Sequence, residues 1–328
     1  MKIKFITGKA GTGKTYMVKN MPNVIKTATT GMAAELIGGC TIHSLLKWNP
    51  ANGFGNTRSG KDYSGKSIAI DEVSMLNADD LDAIIRTGKK NFWKELILVG
   101  DLKQLPPVEG DDITHSKYWN NIEKQELTKI WRQDDPEFVE KLNILREGGK
   151  IKLPNKEYTG DETVLTPYRK VAQKINENKL SGKIITSEGR VLKGKSWQKV
   201  RAEKTLKFCI GAEIIMIDNH RNGDYKNGTR GKIIAYDRLL VDIRLKNNKI
   251  VSVGKKVFEQ VKDGVRVWAG EQYPFILGYA ITIHKSQGMT LDKIAIDVNS
   301  KFFAKGMKYV AVSRVKKWED LYIYSGNL

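Results

Sequence analysis

Cysteine is scarce in this chain, and long apolar runs are missing. Cys40 and Cys209 are the only cysteines in 328 residues, which argues against a disulfide framework. Zinc ligation by these two with His43 and His220 is disfavoured, because the second spacing fits neither a zinc finger nor a zinc ribbon. No stretch approaches the ~20 apolar residues of a membrane span, and the N-terminus has the pattern of a core strand rather than a signal peptide. We therefore expect a cytoplasmic protein.

Acidic side chains are outnumbered. The chain has 37 Asp and Glu residues against 56 Lys and Arg residues, a net charge of +19. A basic excess of this size indicates a polyanionic partner, and no basic amphipathic segment points to a membrane surface instead. Nucleic acid is therefore the expected partner. We find no internal repeat and no low-complexity segment.

The first motif follows an apolar strand at the N-terminus. Residues 8–15 match G-x-x-x-x-G-K-[ST], the phosphate loop of nucleoside triphosphatases. Glycines let successive backbone N–H groups turn inward around phosphate oxygens. Lys14 is expected to reach the β- and γ-phosphates of ATP, and the Thr15 hydroxyl to ligate Mg²⁺. The predicted nucleotide-binding positions here are Gly8, Gly11, Thr12, Gly13, Lys14 and Thr15.

An acidic pair and two arginines complete the predicted chemistry. Asp71 and Glu72 end an apolar strand that begins at residue 67. We expect Asp71 to hold Mg²⁺ and Glu72 to polarise the attacking water. Arg132 and Arg314 are the candidates for stabilising charge on the γ-phosphate.

Strands and helices alternate along most of the chain, which predicts α/β lobes with parallel sheets. Between about residues 205 and 273 the apolar period changes to two, with hairpin turns at Asn222-Gly223, Asn227-Gly228 and Asn247-Asn248. This predicts an all-β insertion of five strands. The alternation resumes with a strand over Phe275–Ala280 and continues to a helix around Phe302–Arg314. The predicted domains are 1–130, then 131–200 with 274–328, and the insertion at 201–273.

These motifs, in this order, resemble superfamily-1B DNA helicases of the Pif, RecD and Dda branch, most closely the Pif type. The specific ones are Gly-Asp-x-Lys-Gln-Leu-Pro-Pro from residue 100 and Thr-Ile-His-Lys-Ser-Gln-Gly from residue 282. The resemblance spans nearly the whole chain. It implies two RecA-like P-loop NTPase domains with a Src-homology-3-like barrel inserted in the second. It also implies a monomeric ATP- and Mg²⁺-dependent helicase that moves 5′→3′ on single-stranded, tailed or forked DNA beside replication or recombination proteins.

The resemblance assigns further residues. Gln104 corresponds to the γ-phosphate sensor, Arg132 and Arg314 to the arginines that close over the γ-phosphate, and Gln287 with Gly288 to the nucleotide side of the fifth motif. The positions that correspond to strand contacts are Thr30, His43, Pro106, Arg169, Thr282, His284 and Lys285.

Two departures from the family pattern leave a second function open. The strand-separating pin region is reduced to residues 47–66, and no adenine-reading glutamine precedes the phosphate loop. The missing glutamine predicts relaxed nucleotide specificity. The short pin region keeps open a DNA-binding ATPase switch that remodels or anneals strands without processive unwinding. A P-loop kinase is disfavoured, because it needs neither Arg314 nor the β insertion.

Overall fold

A computed structural model describes the chain except at 47–62, 108, 198–201, 219, 221–222, 226, 263–264 and 327–328. The strands are β1 (Lys2–Gly8), β2 (Val24–Ala28), β3 (Cys40–Thr41), β4 (Ser67–Asp71), β5 (Glu95–Gly100), β6 (Glu123–Leu127), β7 (Thr163–Thr166), β8 (Ile185–Glu188), β9 (Arg190–Lys193), β10 (Thr205–Phe208), β11 (Glu213–Met216), β12 (Arg230–Tyr236), β13 (Val241–Leu245), β14 (Ile250–Val253), β15 (Lys256–Lys262), β16 (Val265–Gln272), β17 (Phe275–Leu277), β18 (Ala280–Thr282), β19 (Ile294–Asp297) and β20 (Leu321–Tyr324). The helices are α1 (Lys14–Asn20), α2 (Gly31–Leu36), α3 (Ile42–Leu45), α4 (Ala78–Lys90), α5 (Pro136–Arg146), α6 (Arg169–Asn178) and α7 (Met307–Val312). The predicted pin region, apart from residues 63–66, and the first residue of the turn at 222–223 lie outside the described residues.

The chain divides into two compact units. The first comprises Met1–Lys150, Val261–Arg266 and Ala304–Ser313, and the second Ile151–Gln260, Val267–Phe303 and Arg314–Leu328. The first unit thus runs past residue 130 and includes α7. The three domain ranges drawn from the sequence stay a prediction.

The first unit is built on a parallel sheet with strand order β3-β2-β4-β5-β1-β6. Alternate residues of β4 and β5 face opposite sides, as the pleat requires. Ile68 and Leu98 pack in a core with α4, whereas Ala69 and Val99 pack on the other face with α1 and α2. Both faces are covered, which confirms the predicted α/β class for this unit.

A second parallel sheet, with strand order β18-β7-β19-β20, lies in the second unit. Helix α6 follows β7 and packs through Ala172 and Ile175. The loops after β18, β7 and β19 leave this sheet at the same edge, because parallel strands share one carboxyl end. The residues predicted to contact DNA in this unit lie at or shortly after the ends of β7 and β18.

The predicted β insertion is present, with a different strand count. Seven strands, β10 to β16, lie between Thr205 and Gln272 in the described part of the chain, where the sequence predicted five. Four strands of this region form an antiparallel sheet with β17, in the order β14-β13-β12-β11-β17. The strand predicted over Phe275–Ala280 is two strands. Gly278 separates them, and a Cβ atom there would lie 2.9 Å from the carbonyl carbon of Ile214.

The helix predicted over Phe302–Arg314 is shorter than expected. Helix α7 covers only Met307–Val312 and begins after Gly306, whose φ of 75° is left-handed. The left-handed Gly306 separates α7 from residues 302–305, which the structure assigns to no helix. Among the described residues, no helix is long and apolar enough to span a bilayer.

Candidate nucleotide and nucleic-acid sites

The phosphate loop runs from the end of β1 at Gly8 to the start of α1 at Lys14. Gly11 and Gly13 have φ angles of 85° and 83°, in the left-handed region that side chains disfavour. A Cβ atom on Gly11 would lie 2.7 Å from the Cβ of Arg132. Residue 11 must therefore be glycine for two reasons, the left-handed turn and the close approach of Arg132.

Lys14 is held inside this loop. Its Nζ donates hydrogen bonds to the carbonyls of Gly8 at 2.6 Å and Lys9 at 2.8 Å. The Thr12 hydroxyl donates to the same Lys9 carbonyl at 2.9 Å. Burial lowers the pKa of Lys14, and the carboxylate of Asp101 acts in the opposite direction. The ammonium is thus a buried cation that a phosphate oxygen can engage in place of the carbonyls.

Asp71 closes β4 with a buried carboxylate. Its Oδ1 accepts a hydrogen bond from the Glu72 N–H at 3.0 Å, and its Oδ2 is buried without a partner among the described residues. Burial, then the charge of Glu72, raises the pKa of Asp71 to about 7, while the Thr15 hydroxyl lowers it. An unpartnered anionic oxygen beside a hydroxyl suits a divalent cation with oxygen ligands. The residues present therefore fit the predicted Mg²⁺ site.

Glu72 has a strained backbone. Its φ of 56° and ψ of 41° are left-handed, a conformation that non-glycine residues adopt at a cost of roughly 1–3 kcal/mol. The Thr29 hydroxyl donates to its carbonyl at 2.8 Å and holds this conformation. The turn directs the chain away from β4 immediately after Asp71, at the carboxyl edge of the sheet.

Asp101 is a hub that the sequence did not single out. It is fully buried, and Nε and Nη2 of Arg146 donate to its Oδ1 at 3.2 and 3.0 Å. Its Oδ2 accepts from the Tyr309 hydroxyl at 3.1 Å, and that hydroxyl accepts from the Ala10 N–H at 2.6 Å. The Asp101 carbonyl accepts from the N–H of Gln104, the predicted γ-phosphate sensor, at 2.9 Å. Asp101 thus links the loop that carries Gln104 to the phosphate loop.

Arg132 lies against the phosphate loop. The N–H of the preceding Trp131 donates to the Gly11 carbonyl at 2.8 Å. Nη1 of Arg132 donates to the Ser313 carbonyl at 3.1 Å. Burial lowers the pKa of Arg132, and the charge of Glu72 acts against this shift. Asp71, Glu72 and Arg132 all influence the pKa of Lys14, so these four predicted residues form one charged cluster in the first unit.

Three predicted nucleotide-site residues belong to the second unit and are described within it. Arg314 is 3% exposed, and its Nη1 donates to the carbonyls of Ser286 at 3.3 Å and Met289 at 3.4 Å. Gln287 has a buried Nε2 with no hydrogen-bond partner among the described residues. Gly288 has a φ of 73°. Gln287 and Gly288 therefore lie in the segment between β18 and β19, and the Arg314 guanidinium donates to two carbonyls of that segment.

The residues of the first unit that are predicted to contact the DNA strand differ in their hydrogen bonds and ion pairs. The Thr30 hydroxyl accepts from the Ala33 N–H at 3.2 Å and so serves the start of α2. The Nε2 of His43 lies 3.9 Å from a carboxylate oxygen of Asp80. Pro106 is exposed. Pro106 alone of the three has no hydrogen bond or ion pair of its own in the described part of the chain.

In the second unit the predicted strand contacts cluster after β7 and β18. Arg169 is exposed at the start of α6. The Thr282 hydroxyl accepts from the Lys285 N–H at 3.2 Å. The Nζ of Lys285 lies 3.2 Å from a carboxylate oxygen of Glu203, and burial lowers the pKa of His284. Arg169 is therefore the more available cation, while Lys285 already has an anionic partner.

Comparison with known proteins adds an independent line of argument. Residues 1–160 match a family described as an AAA domain. The ATP-dependent DNA helicase Pif1 of Bdellovibrio bacteriovorus is 29% identical, covering 98% of this chain and 84% of the relative. The human ATP-dependent DNA helicase PIF1 is 28% identical over 97% of this chain, which spans 57% of that protein. The chain thus corresponds to only part of the longer relative.

A solved structure extends the comparison to the fold. The crystal structure of Bacteroides sp. Pif1 in complex with ADP-AlF4 aligns with a TM-score of 0.81 at 28% identity. The alignment covers 100% of this chain and 89% of that one. The likeness therefore includes the β-rich insertion as well as both parallel sheets.

Proposed function

We propose, from the premise that the chain belongs to the Pif1-type superfamily-1B DNA helicases, that it unwinds DNA while moving 5′→3′ along a single strand. The observation that carries the proposal is the charged cluster of the first unit, in which the buried Lys14 is held at the Gly8 and Lys9 carbonyls, and Asp71, Glu72 and Arg132 all influence its pKa. Phosphoryl transfer to water needs this set: a cation for the phosphates, a metal ligand, a base and an arginine. ATP hydrolysis then supplies the free energy for directed movement.

Each residue of the cluster has one role in this proposal. Asp71 and Thr15 would hold Mg²⁺, which when bound would neutralise charge on the phosphates. Glu72 accepts the proton of the attacking water. Lys14 and Arg132 stabilise the charge that develops on the γ-phosphate oxygens.

The remaining predicted residues report on the state of the nucleotide. Gln104 lies on the loop that Asp101 fixes, and its neighbour Pro106 is exposed. This adjacency supports a sensor that relates the γ-phosphate to the strand. Arg314, Gln287 and Gly288 form the corresponding set on the second unit. We propose that closing and opening of the two units with ATP binding and product release moves the strand.

The strand itself is held by electrostatics and stacking. A net charge of +19 supports tight, largely sequence-independent binding to phosphates. The residues proposed to contact the strand are Thr30, His43, Pro106, Arg169, Thr282, His284 and Lys285. We propose that the protein acts as a monomer on single-stranded, tailed or forked DNA, in the cytoplasm at the nucleoid, with replication or recombination proteins.

The competing function is an ATPase switch that binds DNA and remodels or anneals it without processive unwinding. The short predicted pin region, residues 47–66, is what keeps this function in view. Unwinding of 5′-tailed and 3′-tailed duplexes in the presence of ATP decides between the two. We expect strand separation from the 5′-tailed duplex only, with the Glu72→Gln variant inactive as the matched control.

The outcomes of that experiment are distinct. DNA-stimulated hydrolysis without strand separation from either duplex would establish the switch. Separation from the 3′-tailed duplex alone would overturn the polarity. Wild-type protein that binds neither DNA nor ATP would overturn the proposed function altogether.

A further inference from the structure

Three aromatic side chains lie on loops that follow adjacent strands of the second unit. His284 follows β18, Tyr168 follows β7, and Phe303 comes six residues after the end of β19. These strands are neighbours in the sheet order β18-β7-β19-β20. The three residues therefore share the carboxyl edge of a parallel sheet, where ligands of such sheets bind.

The three rings form one cluster. The ring centroids of Tyr168 and Phe303 are 5.6 Å apart at an interplanar angle of 37°. Those of His284 and Phe303 are 6.1 Å apart at 18°. Phe303 is thus in ring contact with both of the others. We call Tyr168, Phe303 and His284 the aromatic platform.

Hydrogen bonds fix the loops that carry the platform. The Tyr168 hydroxyl donates to the Lys301 carbonyl at 3.2 Å and joins the loop after β7 to the loop after β19. The carboxylate of Asp297 accepts from the N–H groups of Asn299 and Ser300 at 3.1 and 3.2 Å. The rings therefore sit on bonded loops, at defined positions relative to the sheet.

The platform faces solvent. Tyr168 is 41% exposed and Phe303 is 58% exposed, although each ring would gain free energy by burial. Burial of an aromatic ring is a main source of folding free energy, and the fold leaves these two rings uncovered. An exposed aromatic cluster of this kind marks a binding surface.

Charge around the platform identifies what it binds. Arg169, Lys170 and Lys301 are exposed next to the rings in sequence. The nearby acidic group, Asp297, is 2% exposed and has its oxygens engaged by its own loop. The rings suit a ligand with planar apolar faces, and the cations suit a row of negative charges. Single-stranded nucleic acid has both.

We propose that the aromatic platform stacks on nucleobases of the bound single strand. The inference rests on the proposed function, and it adds a contact to the bases themselves beside the contacts to phosphates. Stacking on an aromatic ring is indifferent to base identity, because every base has a π face. The platform thus gives hold on a strand of any sequence. His284 acts here through its ring, which its lowered pKa keeps uncharged at neutral pH.

The test compares two oligonucleotides of equal length, oligo-dT and an abasic oligonucleotide with the same phosphates and no bases. Phe303→Leu keeps an apolar side chain but removes the π face. Phe92→Leu is the matched control, because Phe92 is a 76% exposed phenylalanine in the first unit. We expect Phe303→Leu to weaken oligo-dT binding about ten-fold and to leave abasic binding unchanged. Phe303→Trp should retain the wild-type affinity for oligo-dT.

Several outcomes would overturn the platform. Equal weakening of both oligonucleotides by Phe303→Leu would mean that the loop, not the stack, was lost, and the thermal unfolding midpoint would report this. Unchanged oligo-dT binding by Phe303→Leu would show that the exposed rings do not stack on the bound bases. Wild-type protein that fails to bind oligo-dT at all would overturn the proposed function itself, which is a separate result.

Discussion

The hydroxyl of Tyr309 accepts a hydrogen bond of 2.6 Å from the backbone N–H of Ala10, 299 positions away in the sequence. The same hydroxyl donates to Asp101 at 3.1 Å. Burial, then the charge of Asp101, raises the pKa of Tyr309 well above its usual value, so the hydroxyl keeps its proton and can donate. One phenol therefore joins the phosphate loop, the Gly-Asp-x-Lys-Gln loop and α7.

Tyr309→Phe should destabilise the first unit. It leaves the Ala10 N–H without its acceptor and Asp101 without one donor, a change that costs about 1–3 kcal/mol for a buried polar group. Thermal unfolding measures the loss, and binding of a fluorescent ATP analogue should weaken in parallel. Tyr16→Phe is the control, because Tyr16 is 75% exposed at the start of α1. Equal unfolding midpoints for the two variants would contradict the link.

Glu72→Gln should abolish turnover while ATP and DNA still bind. The substitution removes the group that orients water and leaves the phosphate loop intact, which typically costs ~10²–10⁴-fold in rate. Lys14→Ala should lose nucleotide affinity as well, because the buried cation is gone. Hydrolysis of ATP stimulated by single-stranded DNA measures both. A Glu72→Gln variant with near wild-type hydrolysis would remove Glu72 from the mechanism.

Asp71→Asn should stabilise the metal-free protein at alkaline pH. The folded-state pKa of Asp71 is raised to about 7 by burial and by Glu72, so ionisation opposes folding. The free energy of unfolding should therefore fall as pH rises from about 4 through 7. The free energy of unfolding of the wild type should fall by about 2–4 kcal/mol more than that of Asp71→Asn between pH 4 and pH 8.

Urea unfolding in EDTA at these two pH values measures the difference. Asp134→Asn changes an exposed aspartate in the same unit and serves as the control. Parallel pH profiles for wild type and Asp71→Asn would show that Asp71 carries no unfavourable charge. Added Mg²⁺ should reduce the difference at pH 8, since a bound divalent cation supplies the missing counter-charge.

Arg169 and Lys285 should differ in their contribution to DNA binding. Each phosphate neutralised on a single strand contributes ~0.7 to the slope of log affinity against log salt. Arg169→Ala should reduce that slope by ~0.7, whereas Lys285→Ala should reduce it by less, because Glu203 already lies 3.2 Å from its Nζ. Glu203→Ala should steepen the slope by releasing Lys285. If Arg169→Ala and Lys285→Ala reduce the slope equally, the ion pair between Lys285 and Glu203 must open on DNA binding.

The elements that the sequence predicted well are apolar strands that end in a motif. Strands β4 and β5 are almost entirely buried and β1 is partly buried, and each is followed by residues with a predicted chemical role, so the apolar period and the motif agree. Strand β6 (Glu123–Leu127) escaped prediction because it is an edge strand whose first four residues are exposed and polar or charged. Apolar periodicity arises because one face of a strand is buried, and an exposed edge strand such as β6 has no such pattern.

The roles of the site residues stay predictions, and the sequence indicated the residue types better than the connections between them. Glycine spacing and the acidic pair point to Lys14, Asp71 and Glu72, because the chemistry of phosphate restricts which residues suit such a site. Asp101 lies within a motif that the sequence displays, yet its partners Arg146 and Tyr309 are distant in the chain. No local pattern encodes such pairings. They follow from the sheet order and from α7 joining the first unit.

That membership of α7 has a consequence during synthesis. The helix belongs to the first unit, but residues 151–260 and 267–303 of the second unit precede it in the chain. Those segments are therefore translated before Tyr309, whose hydroxyl accepts the hydrogen bond from the Ala10 N–H. Domains generally fold as their segments emerge, and here the phosphate loop emerges early and its last partner late. A nascent chain arrested before α7 would carry a complete G-x-x-x-x-G-K-T motif and an unfinished nucleotide site.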